Sequence, residues 1–72
     1  TKVGKSDKVV LSNREKEILH LIANGKTSKD IAESLFIAKT TVDTHRKNMI
    51  RKLQLNSGNE LIKYAIDMKY QF

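Results

Sequence analysis

The chain has 72 residues, no cysteine and a net charge of +6, from 14 Lys and Arg against 8 Asp and Glu. A chain of this length forms one small domain with a thin core, which leaves little room for a large active-site cavity, and without cysteine no disulfide framework can hold it together. The positive charge suits a polyanionic partner such as nucleic acid, although a merely soluble basic domain has the same balance.

The first ten residues differ from the rest of the chain. Residues 1–10 are polar and mostly basic and show no helical periodicity before Val9, so we interpret them as a linker or tail. The sequence contains neither an apolar run of membrane-spanning length nor a signal-peptide pattern. We therefore expect a cytoplasmic protein with no membrane association.

A first helix is predicted to follow Ser12. The side chain of Ser12 can accept from the backbone N–H of Glu15 while the Glu15 carboxylate accepts from that of Ser12, the arrangement called a capping box. A left-handed exit is expected at Asn24-Gly25. Between these two signals lies a broad apolar face, formed by Ile18, Leu19, Leu21 and Ile22.

A second, short helix is predicted from a capping box of the same type, Thr27 with Asp30, and runs to about Leu35. About three residues then interrupt the helical period before a third helix begins at Lys39. Two helices joined by so short a turn form a helix-turn-helix. No glycine lies in this turn, and Ala38 cannot cap the third helix with a side chain, which costs about 1 kcal/mol relative to Ser or Thr.

The third predicted helix, about residues 39–53, has two different faces. At about 100° per residue one stripe is apolar, and the opposite face is basic and carries hydroxyl groups. We interpret the helix as a recognition helix that enters the major groove of DNA. The alternative for such a segment in isolation is an amphipathic helix with a solvated basic face. The apolar stripe contains Val42, Met49, Ile50 and Leu53, and the opposite face Thr40, Thr44, Lys47 and Arg51.

The last predicted helix opens with a third capping box, Ser57 with Glu60. Its apolar residues span about 200° of arc, more than the stripe of about 100° that packing on one core requires. We expect part of this surface to face another molecule and predict self-association; the alternative is that some apolar residues are simply exposed. The predicted dimer contacts are Ile62, Ala65 and Ile66.

Several segments in this order and spacing resemble the LuxR-type (GerE-like) DNA-binding domain. The segments are Leu11 to Leu19, Ala23 to Gly25, Ser28 to Ala32, Thr41 to Asn48 and Lys52-Leu53. The resemblance extends over nearly the whole chain and implies an all-α, four-helix helix-turn-helix domain at residues 11–70. The residues Thr41, Val42 and His45 and the run from Leu61 to Ala65 look most like the NarL/FixJ-type response regulators of two-component systems.

The resemblance also implies partners. In that branch the domain follows a phosphorylatable receiver domain, dimerises through its last helix and binds repeated sites in promoters. Residues 1–10 would then be the end of the interdomain linker. The expected partners are double-stranded promoter DNA and a second copy of the chain, and no cofactor is expected.

Three residues of the third helix are candidates for contacts with bases, because the N-terminal half of the helix enters the groove in helix-turn-helix docking. Lys47 can donate to guanine O6 or N7, and Thr44 can contact a thymine methyl group. Asp43 stands where several NarL-like proteins carry Lys. It can accept from the amino group of cytosine or, four residues before Lys47, form an ion pair with it.

Other residues are expected at the phosphates or at the edge of the core. Arg46 falls inside the apolar stripe, so its stem should lie along the core and its guanidinium should end on a phosphate or on a carboxylate such as Glu60. For His45, which flanks the stripe, a packed structural role is favoured over base reading. The predicted phosphate contacts are Ser28, Lys29, Lys39, Thr40, Thr41, Arg51 and Lys52.

Two other classes of function compete with DNA binding. A protein-interaction module would use the apolar arc of the last helix as its functional surface. An enzyme would need a converging nucleophile and base or paired carboxylates, and the acidic residues here are scattered. Neither histidine has the neighbours that a metal site requires. We therefore predict a sequence-specific DNA-binding domain that catalyses no reaction.

Overall fold

The computed structural model describes residues 10–70, which form four helices and no strand, so the predicted all-α class is confirmed. The predicted linker lies outside the described residues except for Val10, which is exposed. No helix in residues 10–70 is long and apolar enough to cross a membrane. The helices are α1 (Asn13–Ala23), α2 (Ser28–Leu35), α3 (Lys39–Lys52) and α4 (Gly58–Tyr70).

The start of α1 follows the predicted capping box. The backbone N–H of Glu15 donates to the Ser12 hydroxyl oxygen at 3.1 Å, and the backbone N–H of Ser12 donates to the Glu15 carboxylate at 2.9 Å. The helix ends before Gly25, whose φ of +85° is the left-handed conformation that glycine adopts without strain. Both predicted signals of this helix are therefore confirmed.

The turn between α2 and α3 uses an unusual residue. Phe36 adopts the left-handed conformation, with φ 58° and ψ 44°, where many helix-turn-helix units have glycine. The N–H of Ile37 donates to the carbonyl oxygen of Ala32 at 3.0 Å and so closes the end of α2. The Phe36 side chain is 93% exposed, so its ring contributes nothing to the core.

The start of α3 lacks a side-chain cap, as predicted. Ala38 is the N-cap residue and makes no side-chain hydrogen bond. We expect Ala38→Ser to raise the free energy of unfolding by about 0.5–1 kcal/mol, because a serine hydroxyl can accept from an N–H of the first turn. Urea unfolding measures the change, and Ala38→Val, which supplies no hydroxyl and ranks with alanine as a poor N-cap residue, is the control. A serine variant no more stable than wild type would contradict the assignment of Ala38 as the cap.

The capping box predicted for α4 is only half correct. The N–H of Glu60 does donate to the Ser57 hydroxyl oxygen, at 3.4 Å. The Glu60 carboxylate, however, accepts from the backbone N–H of Asn56 at 2.9 Å rather than from Ser57, and a second hydrogen bond from the Asn56 side-chain amide holds it there. The cap therefore extends one residue further back along the chain.

All four helices contribute to one core. Val42 and Met49 of α3 are fully buried in it, while Ile50 and Leu53 pack at its edge, so the predicted apolar stripe is confirmed. Their burial turns the opposite face of α3 to solvent. The other core residues are Ile18, Leu19, Ile22, Ile31, Ala32, Leu61 and Ala65.

An ion pair joins the C-terminal end of α3 to the N-terminal end of α1. Lys52 Nζ lies 2.8 Å from Glu15 Oε1, and the Glu15 residue is only 3% exposed. Burial alone would raise the pKa of Glu15, but the hydrogen bonds from Lys52 and from the Ser12 backbone, together with the charge of Lys52, hold the pKa below its ordinary value. The pair helps to fix how α3 is presented at the surface.

Candidate nucleic-acid interface

The exposed face of α3 is polar and basic along its whole length. Its members recur every three or four residues and therefore share about 60° of the helix circumference, opposite the buried Val42 and Met49. All of them are exposed: Thr40, Thr44, Lys47 and Arg51. The structure thus brings together the predicted base-contacting residues Thr44 and Lys47 on one face.

Lys47 lies in the middle of this face. Its side chain is exposed, and it has no hydrogen-bond or ion-pair partner within residues 10–70. An ammonium group without an internal partner can donate to guanine O6 and N7 or to a phosphate without first breaking a contact of its own. The position and the chemistry both match the predicted role.

Thr44 has a more restricted chemistry than the sequence indicates. Its hydroxyl donates to the backbone carbonyl oxygen of Thr40, one turn earlier, at 3.0 Å. The hydroxyl hydrogen is therefore used within the helix. The methyl group and the remaining lone pair of the oxygen stay available, and the methyl group suits a thymine contact.

Asp43 makes a different ion pair from the predicted one. Its carboxylate Oδ2 lies 3.0 Å from Lys39 Nζ, and the expected pair with Lys47 is absent from the described residues. Hydrogen bonds from the side chains of Lys39 and Ser28 hold the pKa of Asp43 below its ordinary value. The prediction of a Lys47 pair was wrong because two lysines flank Asp43 at four-residue spacing, and spacing alone does not decide between them.

The N-terminal end of α2 presents a second group of predicted contacts. Thr27 and Asp30 cap the helix in the predicted way, with both hydrogen bonds at 3.1 Å. Ser28 is half-buried beside them, and Lys29 is exposed with no hydrogen-bond partner among the residues described. The positive end of a helix dipole together with a lysine favours an anion such as a phosphate.

The remaining predicted phosphate contacts fall into two groups. Lys39, Thr40, Thr41 and Arg51 are all exposed on α3, and Arg51 also donates to the Asn48 side chain at 3.3 Å. Lys52 is different, because its ammonium is bound to the buried Glu15. The structure gives Lys52 an internal contact that the sequence did not predict.

Two further side chains lie at the edge of the core. Arg46 and His45 are both half-buried, in agreement with the prediction that Arg46 lies within the apolar stripe and His45 beside it. No ion pair between Arg46 and Glu60 exists in the described part of the chain, since the Glu60 carboxylate binds Asn56 instead. Among residues 10–70, no three or more His, Cys, Asp or Glu side chains group in a way that could hold a metal ion.

The apolar arc of α4 divides between the core and the surface. Ile62 and Ile66 are 37% and 38% exposed and lie four residues apart on one side of the helix. Ala65 is only 2% exposed because it packs in the core next to Leu61. Of the three predicted dimer residues, Ala65 is therefore a core residue, and the exposed apolar surface consists of Ile62 and Ile66.

Comparison with known proteins identifies the family to which the chain belongs. Residues 9–65 match the bacterial regulatory proteins of the luxR family, GerE. The chain is 57% identical over 58 residues to the uncharacterized response regulatory protein YgeK of Escherichia coli, a match that covers 81% of this chain and 40% of YgeK. It is 50% identical over 60 residues to the oxygen regulatory protein NreC of Staphylococcus haemolyticus, which covers 83% of this chain and 28% of NreC.

The NreC of Staphylococcus carnosus is 48% identical over 60 residues, again with 83% of this chain covered and 28% of the relative. The chain thus spans less than half the length of the curated relatives it matches. The family match covers most of the chain and includes the whole helix-turn-helix. The chain therefore belongs to the luxR family of bacterial regulatory proteins, whose members are DNA-binding transcription regulators and not enzymes.

Proposed function

We propose that this domain reads promoter DNA by inserting α3 into the major groove. A helix of 14 residues is about 21 Å long and, with side chains, about 10–12 Å wide, which matches the groove width of about 12 Å. The observation that carries the proposal is Lys47, which is exposed at the middle of the face opposite the core and has no partner in the described part of the chain. Membership of a DNA-binding family favours this function over a protein-interaction module.

In this proposal the contacts with bases come from one turn of α3. Lys47 donates to guanine, and the methyl group of Thr44 contacts thymine. Asp43 lies between Lys39 and Lys47 on the helix surface and faces the same groove. Its carboxylate can only accept hydrogen bonds and therefore favours a base that presents an amino group.

The phosphate contacts come from two helices and orient α3 in the groove. The N-terminal end of α2 provides Ser28 and Lys29, and the flanks of the exposed face of α3 provide Lys39, Thr40, Thr41 and Arg51. Such contacts set affinity and salt dependence but carry no sequence information. Lys52 is left out of this set because of its bond to Glu15.

The relatives indicate how the domain is used. YgeK is named a response regulatory protein, and the relatives are more than twice as long as their match to this chain. We therefore propose that residues 11–70 are the effector domain of a two-component response regulator, connected through residues 1–10 to a receiver domain. A protein that binds promoters in this way acts in the bacterial cytoplasm.

We further propose that two copies of the domain associate on DNA through α4. Ile62 and Ile66 are separated by one helical turn and form an apolar strip at the surface, next to the exposed charged residues Lys63 and Asp67. A C₂ dimer would bury the same strip from both copies. Two domains related in this way would bind two half-sites about one helical turn of DNA apart.

Ile66→Glu is expected to weaken binding to a duplex with two half-sites by about tenfold, because it replaces an apolar contact worth about 1–2 kcal/mol with a buried charge. Binding to a duplex with one half-site should be nearly unchanged. Fluorescence anisotropy on the two duplexes measures both affinities.

The control for charge is Lys63→Gln, which lowers the net charge by the same one unit on the same helix and leaves the apolar strip intact. Ile66→Lys should lose cooperativity as Ile66→Glu does, although it adds a positive charge. Full cooperativity in both Ile66 variants and in Ile62→Glu would show that α4 is not the dimer surface.

The salt dependence of binding tests the proposed function as a whole. The affinity of the 72-residue chain for a duplex of about 25 base pairs should fall with salt, with a log–log slope of about −0.9 for each phosphate neutralised. Lys29→Ala should reduce the slope by about one contact on every sequence. The absence of duplex binding at low salt, or an affinity that does not depend on salt, would contradict the proposal.

A further inference from the structure

Asp43 holds a group that would otherwise be available to DNA. Its carboxylate accepts from Lys39 Nζ at 3.0 Å. The Ser28 side chain of α2 also helps to lower the pKa of Asp43. Lys39 lies in the first turn of α3 and Ser28 at the N-terminal end of α2, and both positions are suited to phosphates. The carboxylate therefore neutralises, inside the protein, a lysine that could otherwise bind a phosphate.

The same carboxylate faces the surface that would meet the polyanion. The side chain of Asp43 is 40% exposed, and that of Lys39 is 61% exposed, so neither is sealed in the core and either can exchange its partner. A negative charge at this place repels the phosphates and the acceptor atoms of guanine. Only the exocyclic amino groups of cytosine and adenine can satisfy it from the major groove.

We propose that Asp43 is a specificity-determining residue that suppresses binding to DNA of the wrong sequence. On such DNA the carboxylate stays paired with Lys39 and so keeps this lysine away from the phosphates. At a base pair that presents an amino group, above all that of cytosine, the carboxylate exchanges Lys39 for the base, and Lys39 then binds a phosphate. This inference rests on the proposed function, since it requires α3 in the major groove.

The test compares Asp43→Ala with the wild-type chain on duplex of random sequence. We expect the variant to bind this duplex about fivefold more tightly, because a repulsive charge is removed. Its log–log salt slope should become steeper by about 0.9, the contribution of one additional phosphate contact. Affinity for the duplex that the wild-type chain selects from a random pool should not rise, so the ratio of specific to random affinity should fall about fivefold.

Two matched variants separate this role from net charge. Asp67→Ala makes the same charge change at an exposed site on α4 and should leave the specificity ratio unchanged. Asp43→Asn removes the charge while keeping the size and shape of the side chain, and it should behave like Asp43→Ala on random duplex. Thermal unfolding of each variant shows whether the fold is retained. If Asp43→Ala is not folded, Asp43→Asn replaces it in the binding measurements.

The decisive comparison is made in a Lys39→Ala background. There the substitution Asp43→Ala should no longer steepen the salt slope, because the lysine that it releases is missing. A slope change that persists without Lys39, equal effects of Asp43→Ala and Asp67→Ala, or an unchanged specificity ratio would each overturn the inference while leaving DNA binding by α3 in place. Failure of the wild-type chain to bind any duplex would instead refute the proposed function and this inference with it.

Discussion

Lys47→Ala should weaken binding to the selected duplex by about 1–3 kcal/mol and should abolish the preference at one base pair. The reason is that the ammonium of Lys47 has no partner in residues 10–70 and lies at the centre of the exposed face of α3. Competition binding with duplexes that carry each of the four base pairs at every position measures both effects. The free energy of unfolding should change little, because the side chain is exposed.

Lys29→Ala is the control for this prediction. It also removes one exposed lysine, but from the N-terminal end of α2, and it should weaken binding to all sequences alike. Equal losses on selected and random duplex for Lys47→Ala would refute base reading by Lys47 and would make it one more phosphate contact.

Lys52→Met should lower the free energy of unfolding by about 1–3 kcal/mol, because it leaves the carboxylate of Glu15 buried without its charged partner. The loss comes from Glu15, whose side chain is 4% exposed, because position 52 is 37% exposed and can accommodate methionine at little cost. Lys52→Arg keeps the charge and should recover most of the stability. Urea denaturation at neutral pH measures the free energy of unfolding of the wild type and of both variants.

The pH dependence of the same variants gives an independent check. Because the pKa of Glu15 is lowered in the folded protein, its ionised form stabilises the fold above the ordinary pKa of 4.5, and this contribution is lost as the pH falls through the lower folded value. The difference in stability between wild type and Lys52→Met should therefore shrink as the pH is lowered below 4.5. Unchanged stability together with a salt slope reduced by about 0.9 would instead support the phosphate contact predicted from sequence.

The features that sequence predicted well are local ones. The capping boxes of α1 and α2 and the glycine after α1 each depend on residues within a few positions of one another, so spacing alone identifies them. The start of α3 and its buried stripe follow in the same way from the helical period, and the predicted end at residue 53 differs by one residue from the observed Lys52. The helix-turn-helix can therefore be predicted from the sequence.

The features that sequence missed depend on contacts between helices. Glu15 and Lys52 are 37 residues apart, and no pattern in either helix indicates that they meet. Asp43 has a lysine four residues away on both sides, so the spacing alone does not decide which lysine it pairs with, and the Ser28 side chain that helps to lower its pKa belongs to α2. The apolar arc of α4 likewise did not reveal that Ala65 faces the core while Ile66 faces solvent, because that depends on how α4 packs.

These differences reduce the number of predicted DNA-contacting groups that have no internal partner. Lys52 is paired with Glu15, and Asp43 is paired with Lys39. Among the predicted base contacts, Lys47 is exposed and has no hydrogen-bond or ion-pair partner within residues 10–70. The proposed function therefore depends more strongly on that one side chain than the sequence alone suggests.

The most direct test of the account is a selection from a random duplex pool at moderate salt, carried out in parallel with the wild-type chain and with Lys47→Ala. For the wild type we expect an enriched motif, repeated at a spacing of about one helical turn of 10 to 10.5 base pairs. For Lys47→Ala we expect the preference to be lost at one position of each repeat. A pool without enrichment, or the same motif from both proteins, would contradict the claim that α3 reads bases through Lys47.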